Sequence, residues 1–183
     1  MDNGASSYRR YLNGDEDAFA QIVKVYFDSL VFFLYRYVQD YGIAEDLALD
    51  AFAQLVASKH RYNFSVSLKT YLFMIGRSRA LDYIRHKQKL QMAELSEAMQ
   101  IPADEPPLEE LLLADTRKRV VHKAMEQLSE ELRLVVHLVY FEDLQPYEVA
   151  RILKKSRKQV YNLLYRAKNT LRTILGEEGE LLL

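Results

Sequence analysis

An all-α fold is predicted for this chain of 183 residues. It comprises two small helical domains, 8–90 and 118–175, joined by an acidic, proline-containing linker at 91–117 and followed by a short tail, 176–183. Three observations carry the prediction. Apolar residues recur at helical steps of three and four through both domains, and no stretch alternates for the length of a strand. Glycine and proline number only 6 and 4, too few for a many-turned β architecture. Charge is partitioned: residues 8–90 hold 12 Lys/Arg against 9 Asp/Glu, 91–117 hold 1 against 7, and 118–175 hold 12 against 6. Two mildly basic blocks therefore flank an acidic connector, which the overall net charge of −1 conceals.

The elements follow in order. Gly14 ends whatever precedes it, and Asp15 can cap a helix with an acidic first turn, as the helix dipole favours. Phe19, Ile22, Val23, Tyr26, Phe27, Leu30, Phe33, Leu34 and Tyr37 give that helix a wide apolar stripe, which Tyr41-Gly42 is expected to break. A second helix is expected from about Ala44, with Leu47, Ala51, Phe52, Leu55 and Val56 on its apolar face. Asp46, Asp50 and Gln54 fall at i, i+4 and i+8 on the opposite face, a polar ridge suited to a basic partner surface. Ser67 is a candidate cap for a third helix, which turns Tyr71, Leu72, Ile75, Ala80, Leu81 and Ile84 inward and ends in a basic run. The centre of the connector, IPADEPP, cannot be regular helix, because proline removes donors and restricts its neighbours. The last block holds helical stretches at about Arg119 to Leu128 and Glu130 to Phe141.

The stretch from Glu148 to Leu175 decides the character of the second domain. Val149, Ile152 and Leu153 keep helical spacing, and Val160, Leu164, Ala167, Leu171 and Ile174 resume it. Between them stands Ser156-Arg157-Lys158-Gln159, a capping box in which Ser and Gln side chains satisfy each other's backbone N–H groups. A cap marks the start of a new helix, so two helices joined by about three residues are expected, a helix-turn-helix. The outer face of its second helix carries Arg157, Lys158, Tyr161, Asn162, Tyr165, Arg166 and Lys168, cations for phosphates interleaved with side chains able to touch base edges. An ordinary basic helix on a solvated surface would carry the same composition.

Other classes fare poorly. The chain has no cysteine, which excludes disulfides and thiolate metal sites and fits a reducing compartment. His60, His86, His122 and His137 are scattered, with no pair at ligand spacing, and neither a glycine-rich phosphate loop nor a nucleophile elbow is present. No metal, cofactor or catalytic site is expected. No apolar run is judged to approach membrane-spanning length, and MDNGASSYRR lacks a secretory signal's apolar segment, so a cytoplasmic protein without membrane insertion is expected.

Several stretches, in order, resemble the extracytoplasmic-function (ECF) sigma factors of bacterial RNA polymerase. GDEDAFAQIVKVYFDSLVFFLYRYVQD is similar to that family's opening helix, AEDLALDAFAQLV to its polymerase-clamp-binding helix, and SLKTYLFMIGRSRALDYIRHKQK to the helix that engages the minus-ten element. LSEELRLVVHLVYFEDLQPYEVARILKKSRKQVYNLLYRAKNTLRTIL resembles its minus-thirty-five-reading domain. The resemblance implies core polymerase and promoter DNA as partners, with an anti-sigma factor as a possible third. It implies polymerase contacts at Asp46, Asp50 and Gln54. Minus-ten contacts are implied at Arg61, Tyr62, Asn63, Phe64, Lys69, Arg77, Ser78 and Arg79, with Arg61 to Phe64 on a loop that offers stacking surfaces to an extruded base. Minus-thirty-five contacts are implied on the outer face of the last helix named above. Lys154 stands where the family commonly has glycine, Tyr161-Asn162-Leu163 where it commonly has a basic, a small and an arginine residue, Ser78 for a common asparagine and Tyr71 for the usual tryptophan. These departures bear on the promoter sequence rather than the fold. A helix-turn-helix regulator with a helical sensor domain, and a sigma-like interaction protein that has lost DNA reading, share the same features; binding to core polymerase and run-off transcription separate the three.

Overall fold

The computed structural model describes residues 4–93, 121 and 123–175, and the chain forms two compact units, Met1–Asp104 and Glu105–Leu183, which divide within the connector. The tail and residues 94–117 of the expected linker lie outside the described residues; 91–93, placed in the linker by the sequence, instead continue the last helix of the N-terminal unit. Within the described residues every regular element is helical.

The N-terminal unit contains α1 (Ala5–Leu12), α2 (Glu16–Val38), α3 (Tyr41–Ala57), a 3-10 turn (Lys59–Arg61) and α4 (Leu68–Ala93). Asp15 caps α2 as expected: its carboxylate accepts the Ala18 N–H at 3.1 Å and pairs with Arg10 at 2.6 Å. The Arg10 bond and the Ala18 N–H hold that carboxyl below its ordinary range. The break after α2 comes earlier than Tyr41-Gly42. Gln39 takes the left-handed conformation (φ 54°) and Asp40 caps α3 by accepting the Ile43 N–H at 2.9 Å. Gly42 is thus an ordinary first-turn residue, and α3 starts at Tyr41 instead of near Ala44. Ser67 caps α4 through the Thr70 N–H at 3.1 Å.

α2 packs against α1, α3 and α4. Ile22, Leu30, Val31, Phe33 and Leu34 are all buried on it, as are Phe73 and Leu72 on α4. Each such side chain contributes about 1.5–3 kcal/mol by leaving water. By length and composition α2 could also cross a membrane, which corrects the expectation that no apolar run approaches that length; here one apolar face of it lies in the core, while Val25 stays exposed. Gly76 lets α4 approach α2 closely: a Cβ there would lie 2.9 Å from Leu30 Cδ1 and 3.3 Å from Leu34 Cδ2.

The C-terminal unit begins, among the described residues, with a helical end at 123–126, then α5 (Glu130–Val136), a π-helical turn (His137–Phe141), α6 (Pro146–Leu153) and α7 (Arg157–Leu175). Only part of the expected Arg119–Leu128 helix is described. The expected single helix from Glu130 to Phe141 changes to π geometry at His137, where the Glu142 N–H bonds the His137 carbonyl at 3.1 Å. Val135 to Leu138, four consecutive residues across the change from α to π geometry, are all buried. His137 pairs with Glu142 at 3.2 Å and stacks on Phe141.

The helix-turn-helix is formed by α6 and α7. Pro146 opens α6, and the Glu148 carboxylate accepts the Gln145 N–H at 3.1 Å. The capping box has both bonds: Ser156 N–H to Gln159 Oε1 at 2.7 Å and Gln159 N–H to Ser156 Oγ at 3.2 Å. Lys154, at the position where glycine is common, adopts φ 54°, the left-handed region that glycine enters without strain. The buried stripe of α7 is Val160, Leu163, Ala167 and Leu171; Leu164, expected inward, is only half-buried. The stripe thus steps by three, four and four residues.

Candidate nucleic-acid and polymerase interfaces

Arg157, Lys158, Tyr161, Asn162, Tyr165, Arg166 and Lys168 are all exposed on α7, and the aromatic pair is unusually so, Tyr161 at 58% and Tyr165 at 69%. One helical turn separates the two rings, so they share one face, with Asn162 to one side of the pair. The Arg157 guanidinium lies 5.7 Å from the ring centre of Tyr147, at the start of α6. Lys155 in the turn pairs with Glu131 of α5 at 2.6 Å, which ties the turn to the rest of the unit. This rigid, capped helix presents cations, an amide and two phenols together.

The loop between α3 and α4 is built differently from the expectation. Tyr62 is corrected: it is buried, it donates its hydroxyl to the Val66 carbonyl at 2.7 Å, and Tyr8, Phe64 and Tyr71 pack around its ring. It supports the loop instead of offering a stacking face. Arg61 and Asn63 are exposed and Phe64 half-buried. Asn63 Oδ1 accepts the Ser65 N–H at 3.1 Å, and Phe64 takes φ 60°, so the loop turns sharply here. Beneath it lies Tyr8 of α1, fully buried, whose hydroxyl donates to the Lys59 carbonyl at 2.9 Å and reaches the Leu55 carbonyl at 3.4 Å. Burial, with neighbouring Tyr11, Tyr71 and Tyr62, pushes its pKa up to about 12.

On α4, Ser78 is exposed, whereas Lys69, Arg77 and Arg79 are half-buried. Lys69 Nζ lies 5.8 Å from the Phe73 ring centre, and Arg79 Nε donates to Gln54 Oε1 at 2.9 Å. Burial raises the Tyr37 pKa, with the charge and hydrogen bond of Arg77 opposing it. Arg77 and Arg79 therefore have partners within the unit, instead of standing as open phosphate cations. Gln54 is half-buried and accepts the Arg79 bond from α4, while Asp46 and Asp50 stay exposed on α3. Leu49, 54% exposed, and Val56, 39% exposed, share the outer side of α3, so the ridge is mixed acidic and apolar.

Sequence reasoning missed Tyr8, whose partners lie 47 and 51 residues away, and it left Leu49 unassigned. Leu49 had a signal: a leucine on the polar side of a helix whose stripe is already complete.

An α-helical unit with an acidic ridge and a basic helix, together with a capped helix-turn-helix, defines a two-part DNA-binding protein. Comparison with known proteins makes the class specific. Residues 22–90 match the family model of Sigma-70 region 2, and residues 118–171 match that of Sigma-70, region 4. The chain is 26% identical over 172 residues to the ECF RNA polymerase sigma factor SigW of Bacillus subtilis, covering 90% of this chain and 92% of the relative. It is 24% identical over 170 residues to the RNA polymerase sigma-H factor of Pseudomonas aeruginosa, covering 88% of each. In fold it is similar to the sigma factor RpoE of Bartonella quintana, solved with the anti-sigma factor NepR (TM-score 0.66, 20% identity, 87% of this chain and 97% of the other). It is also similar to CnrH, solved with the cytosolic domain of CnrY (TM-score 0.58, 19% identity, 94% of each). The chain belongs to the sigma-70 family, in its ECF group, and as such directs promoter-specific transcription initiation with core RNA polymerase.

Proposed function

We propose that the residues of the three surfaces divide the work of initiation. The α3 ridge, with Asp46, Asp50 and Leu49 outermost, docks on core polymerase. The 61–64 loop and α4 take the opened minus-ten strand, with Arg61, Asn63, Phe64 and Ser78 nearest to it and Lys69, Arg77 and Arg79 behind. Tyr161, Asn162, Tyr165 and Arg166 read the minus-thirty-five bases, while Arg157, Lys158 and Lys168 hold phosphates. The observation that carries this reading is the solvent-facing set on α7: in a helix-turn-helix the N-terminal half of the second helix meets base edges and its flanks meet the backbone. Asn pairs bidentately with adenine and Arg with guanine. A relative solved in complex with an anti-sigma factor supports a similar inhibitory partner here. The chain works in the cytoplasm beside polymerase and performs no catalysis of its own.

The test has two arms. Lysine at both Asp46 and Asp50 is expected to weaken core binding, measured by anisotropy of labelled protein, with helical content unchanged. Run-off transcription from promoters selected out of a randomised library is expected to fall in parallel. Core binding as tight as wild type removes the ridge assignment, and run-off activity without core affinity is not attainable under this reading.

A further inference from the structure

α1 precedes both matched family regions, yet two of its consecutive residues reach the loop between α3 and α4. Tyr8 goes beneath the loop, hydrogen-bonding the Lys59 carbonyl and touching Tyr62 and Phe64 edge-on. Arg9 goes above it: its guanidinium carbon sits 4.8 Å from the centre of the Phe64 ring. The neighbouring Arg10 is committed to Asp15. Among the described residues no carboxylate pairs with Arg9, which is exposed. Phe64 is held in a left-handed turn, packed on Tyr62 at 4.6 Å and on Tyr8 at 6.3 Å, so the layers run from the buried tyrosines through Phe64 to Arg9.

We infer that Arg9 is a DNA-binding residue, the outer layer of the site that takes an unpaired base, and that α1 is part of that site. The guanidinium is planar and weakly hydrated, and nucleic-acid bases stack on such planes as they do on aromatic rings. With Arg9 over Phe64, a base arriving at the loop meets the cation first. Stacking on it gains both the π-face contact and attraction for the adjoining phosphate, the combination that single-strand sites use. Tyr8 acts through the loop as a positioning residue, since its hydroxyl fixes the backbone from which Phe64 projects. The inference rests on the proposed reading of the 61–64 loop as the unpaired-strand site.

The experiment uses holoenzyme assembled from the full chain and core polymerase. The probes are fluorescein-labelled single strands of about twelve nucleotides: oligo-dT, and the same backbone with abasic sites. Arg9→Ala is expected to lower affinity for oligo-dT about ten-fold and for the abasic strand only about three-fold, because the abasic strand lacks the stacking contact. Arg9→Lys is expected to restore the abasic strand and leave oligo-dT weakened, since an ammonium offers no plane. Phe64→Ala serves as the loop control. Oligo-dT binding unchanged by Arg9→Ala but weakened by Phe64→Ala overturns the inference and leaves the loop reading standing. Unchanged binding in both variants sinks the loop reading, and the inference with it. Full restoration of oligo-dT binding by Arg9→Lys refutes the stacking layer, reducing Arg9 to a charge.

Discussion

Alkaline titration isolates the Tyr8 hydroxyl from the other tyrosines when wild type is compared with Tyr8→Phe. The folded unit holds this phenol neutral, with a pKa of about 12 against an ordinary 10.0. A raised pKa on a group that ionises to an anion means that the unfolded chain loses its proton first. The stabilisation is therefore complete below about pH 10 and is lost as pH climbs towards 12. Two units are worth about 2.7 kcal/mol in full and about 2 kcal/mol at pH 11.5. At pH 8 the wild type is expected to be the more stable by about 1 kcal/mol, the net value of the hydrogen bond that phenylalanine lacks. The difference should shrink, reach zero between about pH 10 and 11, and change sign by pH 11.5. Urea unfolding followed by circular dichroism measures it. The chain has two compact units, so the relevant transition is the one that Tyr8→Phe shifts at pH 8. Ionisation of lysine and of the distant tyrosines is common to both proteins, whereas Tyr11, Tyr62 and Tyr71, whose charge helps raise the Tyr8 pKa, lose that coupling in Tyr8→Phe. A stability difference that stays constant from pH 8 to 11.5 would refute the buried, hydrogen-bonded placement of this ring.

Five further variants have expected outcomes. Gly76→Val drives a branched side chain against Leu30 and Leu34 and should cost about 2 kcal/mol, whereas Gly76→Ala should stay within about 1 kcal/mol because the gain in helix propensity offsets a contact with flexible leucine ends; thermal unfolding distinguishes them. Lys154→Gly relieves a left-handed residue in the turn and should stabilise the C-terminal unit by about 1 kcal/mol in urea titrations without altering exposure of α7. Arg166→Ala should weaken holoenzyme binding to a selected minus-thirty-five duplex more than to a scrambled one, by about 1–3 kcal/mol of discrimination. Lys168→Ala should weaken both alike and flatten the salt dependence by about one unit of slope; equal losses for Arg166→Ala on both duplexes would remove it from base reading.

What was legible in the sequence was what is local. The caps at Asp15, Ser67 and Ser156 involve partners three residues away, so side-chain chemistry alone announces them, and each has the expected bond. The exposed face of α7 was legible for the same reason, since a helix once located fixes its own outer side. The errors arose where a distant element decides. Tyr62 has the composition of a stacking residue, and only the arrival of Tyr8 and Tyr71 buries it. Gln54 belongs to a polar ridge by spacing, and only the fold shows its bond to Arg79, 25 residues on, which leaves it half-buried. Leu163 and Leu164 are adjacent and equally apolar, so a shift of one residue in the stripe costs nothing until packing chooses between them. The break at Gln39 was missed because glutamine carries no sign of a left-handed residue, while the nearby Gly42 does.

Arg133 carries a consequence for where the C-terminal unit can be cut. Its Nε donates to the Met125 carbonyl at 2.9 Å and its Nη2 to the carbonyls of Glu126 and Leu128, so one guanidinium gathers the end of the preceding helix onto α5. Ala124, Met125 and Leu128 are buried with it. A fragment beginning at Ser129 would contain the whole helix-turn-helix and still be an incomplete body, with a five-donor cation stripped of its acceptors and apolar surface laid bare. The smallest autonomous reader of DNA in this chain therefore starts no later than Lys123, and its boundary is drawn by one arginine.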